Sequence, residues 1–472
     1  MRTARADPVT PAKRAARVAG LIEAEIIRQN WPIGASLGSE PALQQRYGVS
    51  RAVLREAVRL VEHHQVALMR PGPGGGLCVT VPDAGPATRA MVIYLEYLGI
   101  TIDELLDARL LIEPLASGLA AERIEEAGIA ELRGTLRSSG PPAAHDDFHV
   151  VLAEMTGNAV LALFVDVLSR LTARYARDST VPSADAVHRL AADHASIVDA
   201  VTAGNPARAT TLTEEHVQIV AGWLRRHHRR GVRGAADAAP TAGGTGKRAE
   251  QLAAVIHEDI ASRGWPVGMV FGAEGELLER YGVSRSVLRE AVRLLEHHAV
   301  ARMRRGPGGG LVVTEPRPGA AVDAIALYLD YRRPGRDDLR LVREVIEVDN
   351  VATVVARRGD PDVAAFLSAQ EAVPGTAAPQ TDPVGAGMAE LFFHTKLAEL
   401  AGNRVLNLFL SILVELFRRH WTSAQRALPD AADAAAMHHA HHRIVAAIRD
   451  GDDAMARHRS RRHLDALASW WV

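Results

Sequence analysis

The stretch at 46–80, RYGVSRAVLREAVRLVEHHQVALMRPGPGGGLCVT, recurs at 280–314 as RYGVSRSVLREAVRLLEHHAVARMRRGPGGGLVVT, a displacement of 234 positions. The same displacement carries Trp31-Pro32 onto Trp265-Pro266, Tyr94 onto Tyr328, and Arg109 and Glu113 onto Arg343 and Glu347. Self-similarity on this scale dictates two complete copies of one plan laid end to end. Between them, residues 229–246 (RRGVRGAADAAPTAGGTG) have the small-residue, glycine and proline content of a flexible linker. Within each copy the texture changes near residues 83 and 317, where glycine and proline turns give way to long apolar stripes at helical spacing. Each copy therefore holds a small domain followed by an all-helical one.

Composition removes several classes. The single cysteine, Cys78, excludes an internal disulfide and leaves no thiol pair for a Cys-based zinc site, which fits a reducing cytosol. No apolar run approaches the roughly 18 residues of a spanning helix, and the opening MRTARADPVTPAKRAARVAG lacks the hydrophobic stretch of a signal peptide. The expectation is a cytoplasmic protein with no membrane partner. A net charge of -1 argues against a uniformly basic nucleic-acid binder, so the location of the charge has to decide.

In the first small domain, Ser39 is placed to cap a helix with Pro41 in its first turn that runs to Tyr47, where Gly48-Val49-Ser50 breaks it. Ser50 caps a second helix through about His64. Val53, Leu54, Ala57, Leu60 and Val61 fall at core spacing, which leaves Arg51, Arg55 and Arg59 on an exposed stripe. Ser284, Arg285, Arg289 and Arg293 repeat the pattern. A strand, the glycine loop around Gly74 (Gly308 in the second copy) and a second strand follow, the outline of a wing on a helix-turn-helix. Such a helix offers its N-terminal side chains to the DNA major groove, where arginine reads guanine edges. Residues 46–70 carry five Arg against two Glu, and 280–305 seven Arg against two Glu, so basic charge is concentrated where the motif needs it. An arginine stripe alone is often a solvated face, but the duplicated spacing, the broken turn and the wing together favour DNA. The GPGGG segments at 72–76 and 306–310 lack the GK[ST] ending of a nucleotide cradle and precede strands rather than helices. Their glycines suit a tight turn and close backbone approach to DNA.

The run YGVSR-x-VLREAVRL-x-EHH followed by the GPGGGL-x-VT wing resembles the N-terminal domain of GntR-type bacterial regulators, and the helical part resembles their FCD subgroup. The resemblance covers nearly the whole chain twice. It implies DNA contacts from Arg51, Arg55, Arg285 and Arg289, with Gly74 and Gly308 in the wings. One departure stands out: where such proteins usually carry an arginine in the S-E-R opening of the first motif helix, this chain has Pro41 and Gly275, so one customary contact is missing from both heads.

Histidines mark the helical domains. His194 and His216 are 22 residues apart, as are His441 and His463, and His149 and His394 precede these pairs. His145 and Glu390 each lie four residues before a histidine, so each shares a helix face with it, as two ligands of one ion must. Imidazoles with one carboxylate suit a divalent metal, zinc first, with nickel, iron or manganese as alternatives. The resemblance implies the same: FCD domains place an Asp four residues before the first of three His. Glu390 matches that carboxylate, whereas the first copy has His145 there, with Asp146 and Asp147 out of phase. Arg109 and Arg343, four residues before Glu113 and Glu347, read as i,i+4 ion pairs. The resemblance offers an alternative, that they anchor the carboxylate of an effector over the metal.

The resulting expectation is a mainly α chain: a winged helix-turn-helix at 11–83, a helical domain at 84–228, a linker at 229–246, a second winged domain at 247–317 and a second helical domain at 318–472. It would be a transcriptional regulator, repressor or activator, and not an enzyme. A small organic acid would modulate its grip on a double-stranded DNA operator. Recognition helices 50–64 and 284–298 differ only at Ala52/Ser286 and Val61/Leu295, so one chain should read two half-sites as an intramolecular pseudo-dimer, with homodimerisation as a further outcome. The rivals are an architectural DNA binder without effector and, from another class, a metal-dependent hydrolase or lyase.

Overall fold

The computed structural model describes residues 11–72, 75–136, 143–177, 179, 184–227, 245–306, 308–316, 318–372, 383–423 and 431–468. The expected linker lies outside this set except for its last two residues, which begin a helix.

The first repeat opens with α1 (Pro11–Arg28), α2 (Glu40–Tyr47), α3 (Arg51–His63), β1 (Ala67–Arg70) and β2 (Gly76–Val79). Its helical part is α4 (Ala84–Tyr97), α5 (Ile102–Arg123), α6 (Glu126–Thr135), α7 (Ala143–Glu154), α8 (Ala159–Arg177), α9 (Ala184–Thr202) and α10 (Pro206–His227). The second repeat opens with α11 (Thr245–Ser262), β3 (Val270–Gly272), α12 (Glu274–Tyr281), α13 (Arg285–His297), β4 (Ala301–Arg304) and β5 (Gly310–Val313). It continues with α14 (Pro318–Arg332), α15 (Arg336–Ala356), α16 (Pro361–Ala372), α17 (Pro383–Ala401), α18 (Arg404–Ser423), α19 (Ala431–Asp450) and α20 (Asp453–Ala468). Like gathers with like: Met1–Tyr94 and Gly234–Arg333 form one compact unit, Leu95–Arg233 and Pro334–Val472 another.

The first unit holds both winged helices. Gly48 ends α2 at φ 60, a left-handed turn that glycine adopts without strain, and its N–H returns to the Gln44 carbonyl. Two residues later Ser50 starts α3, its hydroxyl accepting from the Val53 N–H at 3.4 Å. Ser39 occupies the corresponding position before α2 but makes no side-chain cap, contrary to expectation; Glu40 and a proline in the first turn favour that start instead. Leu54, Ala57 and Val61 pack inward with Ile22, Ile26, Leu43 and Leu77, while Val53 and Leu60 are only partly covered. Truncating a core leucine such as Leu54 to alanine costs about 2–5 kcal/mol in cores of this kind.

In the wing, β1 and β2 are antiparallel with Arg70 opposite Gly76. The last glycines of the GPGGG segments have a structural cause: a Cβ on Gly76 would meet the Gly38 carbonyl oxygen at 2.5 Å, and one on Gly310 would meet that of Gly272 at 2.5 Å. The second wing gains a strand unforeseen from the sequence, in the order β3-β5-β4, where the first repeat has only the bridge Ser36–Cys78. Helix α14 crosses between repeats. Its Leu327 belongs to the first winged helix's core, and its Tyr331 meets Trp31 edge-on at 5.1 Å.

The second unit holds both helical bundles. Phe148, Leu152, Ile197 and Val201 lie in the core of the first, and Phe393, Leu397, Ile444 and Ile448 in that of the second. A Gly-Asn pair precedes α8 and α18 and joins the bundles reciprocally. Asn158 caps α8 through Oδ1 and donates from Nδ2 to the Asp338 carbonyl at 3.1 Å; Asn403 caps α18 and donates to the Glu104 carbonyl at 2.9 Å. Glu104 already closes a capping box with Thr101 at the start of α5, and Arg404 grips it from the other repeat at 2.7 and 2.5 Å. No described helix is long and apolar enough to cross a membrane.

Candidate DNA-reading heads and metal centres

On α3 the side chains of Arg51, Arg55 and Arg59 are exposed, and on α13 those of Arg285, Arg289 and Arg293 are exposed. Their pairing follows one pattern in both heads. The first arginine reaches a glutamate at the start of the preceding helix (Arg51–Glu40 at 3.0 Å, Arg285–Glu274 at 3.4 Å). The third reaches back one turn (Arg59–Glu56 at 3.2 Å, Arg293–Glu290 at 2.7 Å). Exposed pairs of this kind contribute about 0–1 kcal/mol, so a phosphate can displace them. Arg55 and Arg289 form no ion pair among the described residues. They stand one turn into the helix, where a base-reading side chain is expected. Ser50 and Ser284 begin these helices as caps. Gly308 turns the second wing at φ 68, its carbonyl held by Arg304 Nη2 at 2.7 Å. Gly74 lies outside the described residues.

In the second bundle, Glu390, His394, His441 and His463 converge from α17, α19 and α20, all buried. His394 Nε2 and His441 Nε2 stand 3.2 and 3.1 Å from His463 Nε2. Glu390 approaches the three imidazoles at 2.7, 2.9 and 3.0 Å. Ligands at 2.0–2.1 Å around a zinc-like ion lie about 3.0–3.4 Å apart, so the donors fit a divalent metal in spacing and in kind. Glu390 sits one turn before His394 on α17, the i,i+4 relation expected from the sequence.

The first bundle brings together His149, His194 and His216, with 3.2 Å between the Nε2 atoms of the latter two. Position 145 lies one turn before His149 on α7, but its side chain is outside the described set.

Arg109 and Arg343 are buried on α5 and α15 and pair with Glu113 and Glu347. Each glutamate turns its second oxygen to the Nδ1 of the first histidine, Glu113 to His149 at 3.0 Å and Glu347 to His394. An imidazole held at Nδ1 presents Nε2 in a fixed direction, the usual outer support of a metal ligand. Burial alone would raise the Glu347 carboxyl, but Arg343 and His394 hold it at about 2. Burial pushes His394 down, yet the carboxylates of Glu347 and Glu390 outweigh it and set its pKa at about 9. His441 is pushed down to about 4, chiefly by burial, which favours the neutral form a metal ligand requires.

Three features escaped sequence reasoning. Glu113 and Glu347 read only as partners for arginine, because their histidines lie far along the chain. Phe148 and Phe393 stack on His194 and His441 with centroids 4.0 and 3.8 Å apart; an aromatic immediately before the first histidine was the available signal. Asn350, on the same face of α15 as the expected effector residue Arg343, is the third: its Nδ2 and the Nη2 of Arg343 are buried without a hydrogen-bond partner among the described residues. His438 and His442 pair with each other at 3.1 Å and take no part in the cluster.

The family model for bacterial regulatory proteins of the gntR family matches residues 14–76 and 248–313, and that for the FCD domain matches 104–219 and 338–466. The Uxu operon regulator of Haemophilus influenzae is 26% identical over 226 residues, covering 43% of this chain and 79% of its own length. The transcriptional regulator LutR of Bacillus subtilis is 27% identical over 201 residues, covering 40% of this chain and 90% of its own. The Exu regulon transcriptional regulator of Escherichia coli is 32% identical over 127 residues, 27% of this chain and 48% of its own. Among solved structures, a Streptococcus agalactiae GntR protein aligns with 44% of this chain and 99% of its own at 21% identity and a TM-score of 0.31.

Proposed function

The chain belongs to the GntR family of bacterial regulatory proteins and carries two FCD domains, and on that premise we propose a DNA-binding transcriptional regulator that works as a pseudo-dimer within one chain. The family and the named relatives are transcription regulators rather than enzymes. Two near-identical heads on one chain would read two half-sites of an operator. Arg55 and Arg289 would contact bases, flanked by Arg51, Arg59, Arg285 and Arg293 on phosphates and bases, with the wings around Gly74 and Gly308 alongside.

We further propose that Glu390, His394, His441 and His463 hold a divalent metal, zinc in the first instance, and that His149, His194 and His216, joined by His145, hold a second. A metal bound there supplies a Lewis-acidic anchor for a carboxylate. The chain's own part is to orient the histidines through Glu113 and Glu347, and to offer an acidic effector the buried Nη2 of Arg343 and Nδ2 of Asn350, with Arg109 in the equivalent place of the first bundle. The Uxu, Exu and LutR relatives are named as regulators too, which supports the regulatory role; the pairing of a metal centre with a buried guanidinium is what favours a small organic acid as effector. Such an acid would change operator affinity only through different affinities for two arrangements of the chain.

The observation that carries this reading is the matched pair of exposed arginine helices, each with one arginine that forms no ion pair among the described residues. Selection of bound DNA from a random pool, followed by footprinting, tests it. The expected result is one operator with two related half-sites protected by a single chain. Elemental analysis of the purified protein tests the metal, and operator affinity indifferent to every organic acid would favour the architectural reading instead.

A further inference from the structure

Between α19 and α20 the second bundle carries a cavity of about 470 Å3, lined in part by Asp433, Met437, Arg443, His458, Arg459 and Arg462. That size suits a small ligand, for which pockets of about 300–1,000 Å3 are usual. Arg443, His458 and Arg462 are exposed, while Met437 packs with Leu464 and Leu467, so an apolar base meets a charged rim.

The balance of charge is unusual for its surroundings. Neighbouring arginines on α20 are paired, Arg457 with Asp453 at 2.9 Å and Arg461 with Glu344 at 3.8 Å. Arg443 and Arg462 form no ion pair among the described residues. Arg459 donates from Nη1 to the Arg443 carbonyl at 2.5 Å, and its Nε is buried with no hydrogen-bond partner. Three permanent cations thus converge on one concavity against the single carboxylate of Asp433, and a buried N–H faces a desolvation cost that an acceptor would relieve.

The equivalent positions of the other bundle carry no such cluster. Aligning His194 with His441 and His216 with His463 puts Ser196, Thr211, Leu212 and Glu215 where the second bundle has Arg443, His458, Arg459 and Arg462. The basic cluster is therefore no requirement of the shared fold.

We propose that this groove is a binding site for a small, multiply charged anion, a phosphorylated or polycarboxylate metabolite, held by Arg443, Arg459 and Arg462. It adjoins the candidate metal centre through α20: His463 lines the groove, while its Nε2 faces Glu390 at 3.0 Å. A ligand here gives the second bundle an input that the first lacks.

Calorimetric titration of the full chain tests this, with pyrophosphate and citrate as separate probes at an ionic strength fixed by sodium chloride. The expected result is one saturable site per chain for at least one probe, weakened tenfold or more in Arg459→Gln/Arg462→Gln and retained in His149→Ala/His394→Ala. Pyrophosphate alone would identify phosphate chemistry, citrate alone carboxylate chemistry. Absence of saturable binding to either probe, binding indifferent to the arginine changes, or binding lost with the histidine changes in a folded protein would each overturn the proposal. So would arginine variants that lose operator DNA rather than the small anion. If circular dichroism shows the double variant unfolded, Arg443→Gln carries the same expected loss. Operator binding and metal content should stay unchanged in the arginine variants, so failure here is distinguishable from failure of the regulatory reading.

Discussion

Phe164 and Phe409 hold equivalent places in the two repeats and stack on each other, centroids 3.8 Å apart and planes within 10°. A residue that meets its own counterpart lies on or near a two-fold axis, here a pseudo-axis inside one chain. Asn158 and Asn403 make the matching reciprocal contacts on either side. Both rings are fully buried, so Phe409→Ala should lower unfolding free energy by about 3–5 kcal/mol. Because Phe164 loses its partner, the double variant Phe164→Ala/Phe409→Ala should cost less than the two single changes added together. Urea denaturation of the four proteins checks this; strict additivity would mean that the rings act independently.

Glu104 and Arg404 make the acid side of stability a direct readout of the join between bundles. Burial raises the Glu104 carboxyl, but hydrogen bonds from Arg404 and Thr101 outweigh it and hold its pKa at about 2, against an ordinary value of 4.5. A depressed folded-state pKa stabilises above the ordinary value and loses that contribution as pH falls toward the folded one. Arg404→Ala should therefore destabilise near neutrality, by roughly 1–2 kcal/mol for a partly exposed charged pair. The gap from the parent protein should narrow as pH falls from 4.5 toward 2. A gap constant over that range, in urea midpoints measured at each pH, would remove Glu104 as the cause.

Glu347 holds His394 at Nδ1 and is itself held by Arg343. Glu347→Gln keeps the size of the side chain but weakens its hold on the imidazole, so metal affinity in the second bundle should drop about 10–100-fold. Competition with a coloured chelator measures it. Glu113→Gln should act likewise on the first bundle and leave the second untouched.

Arg55→Ala and Arg289→Ala should each cost about 1–3 kcal/mol in operator binding if these side chains read bases. Each change touches one head only, so footprints should fade over one half-site and persist over the other. Arg59→Ala should instead weaken binding evenly across sequences and flatten its dependence on salt, as loss of a phosphate contact does. Two half-sites fading together in Arg55→Ala would mean that the heads act as one rigid reader.

The two-fold organisation, the DNA-binding motif and the candidate metal ligands were legible from the chain alone, because each is written in short-range spacing. Helix periodicity placed Arg55 outside and Leu54 inside, and an i,i+4 step paired Glu390 with His394. The departure at Ser39 is likewise local, since proline and an acidic residue already start that helix. Tertiary structure alone decided the rest. Leu327 completing the first repeat's core, Asn403 reaching Glu104, Glu347 turning to His394, and three arginines meeting across α19 and α20 all join residues far apart in sequence. Periodicity records which face of an element is apolar; it carries no record of which distant face will cover it, because that choice is settled by packing and by the need of buried polar groups for partners.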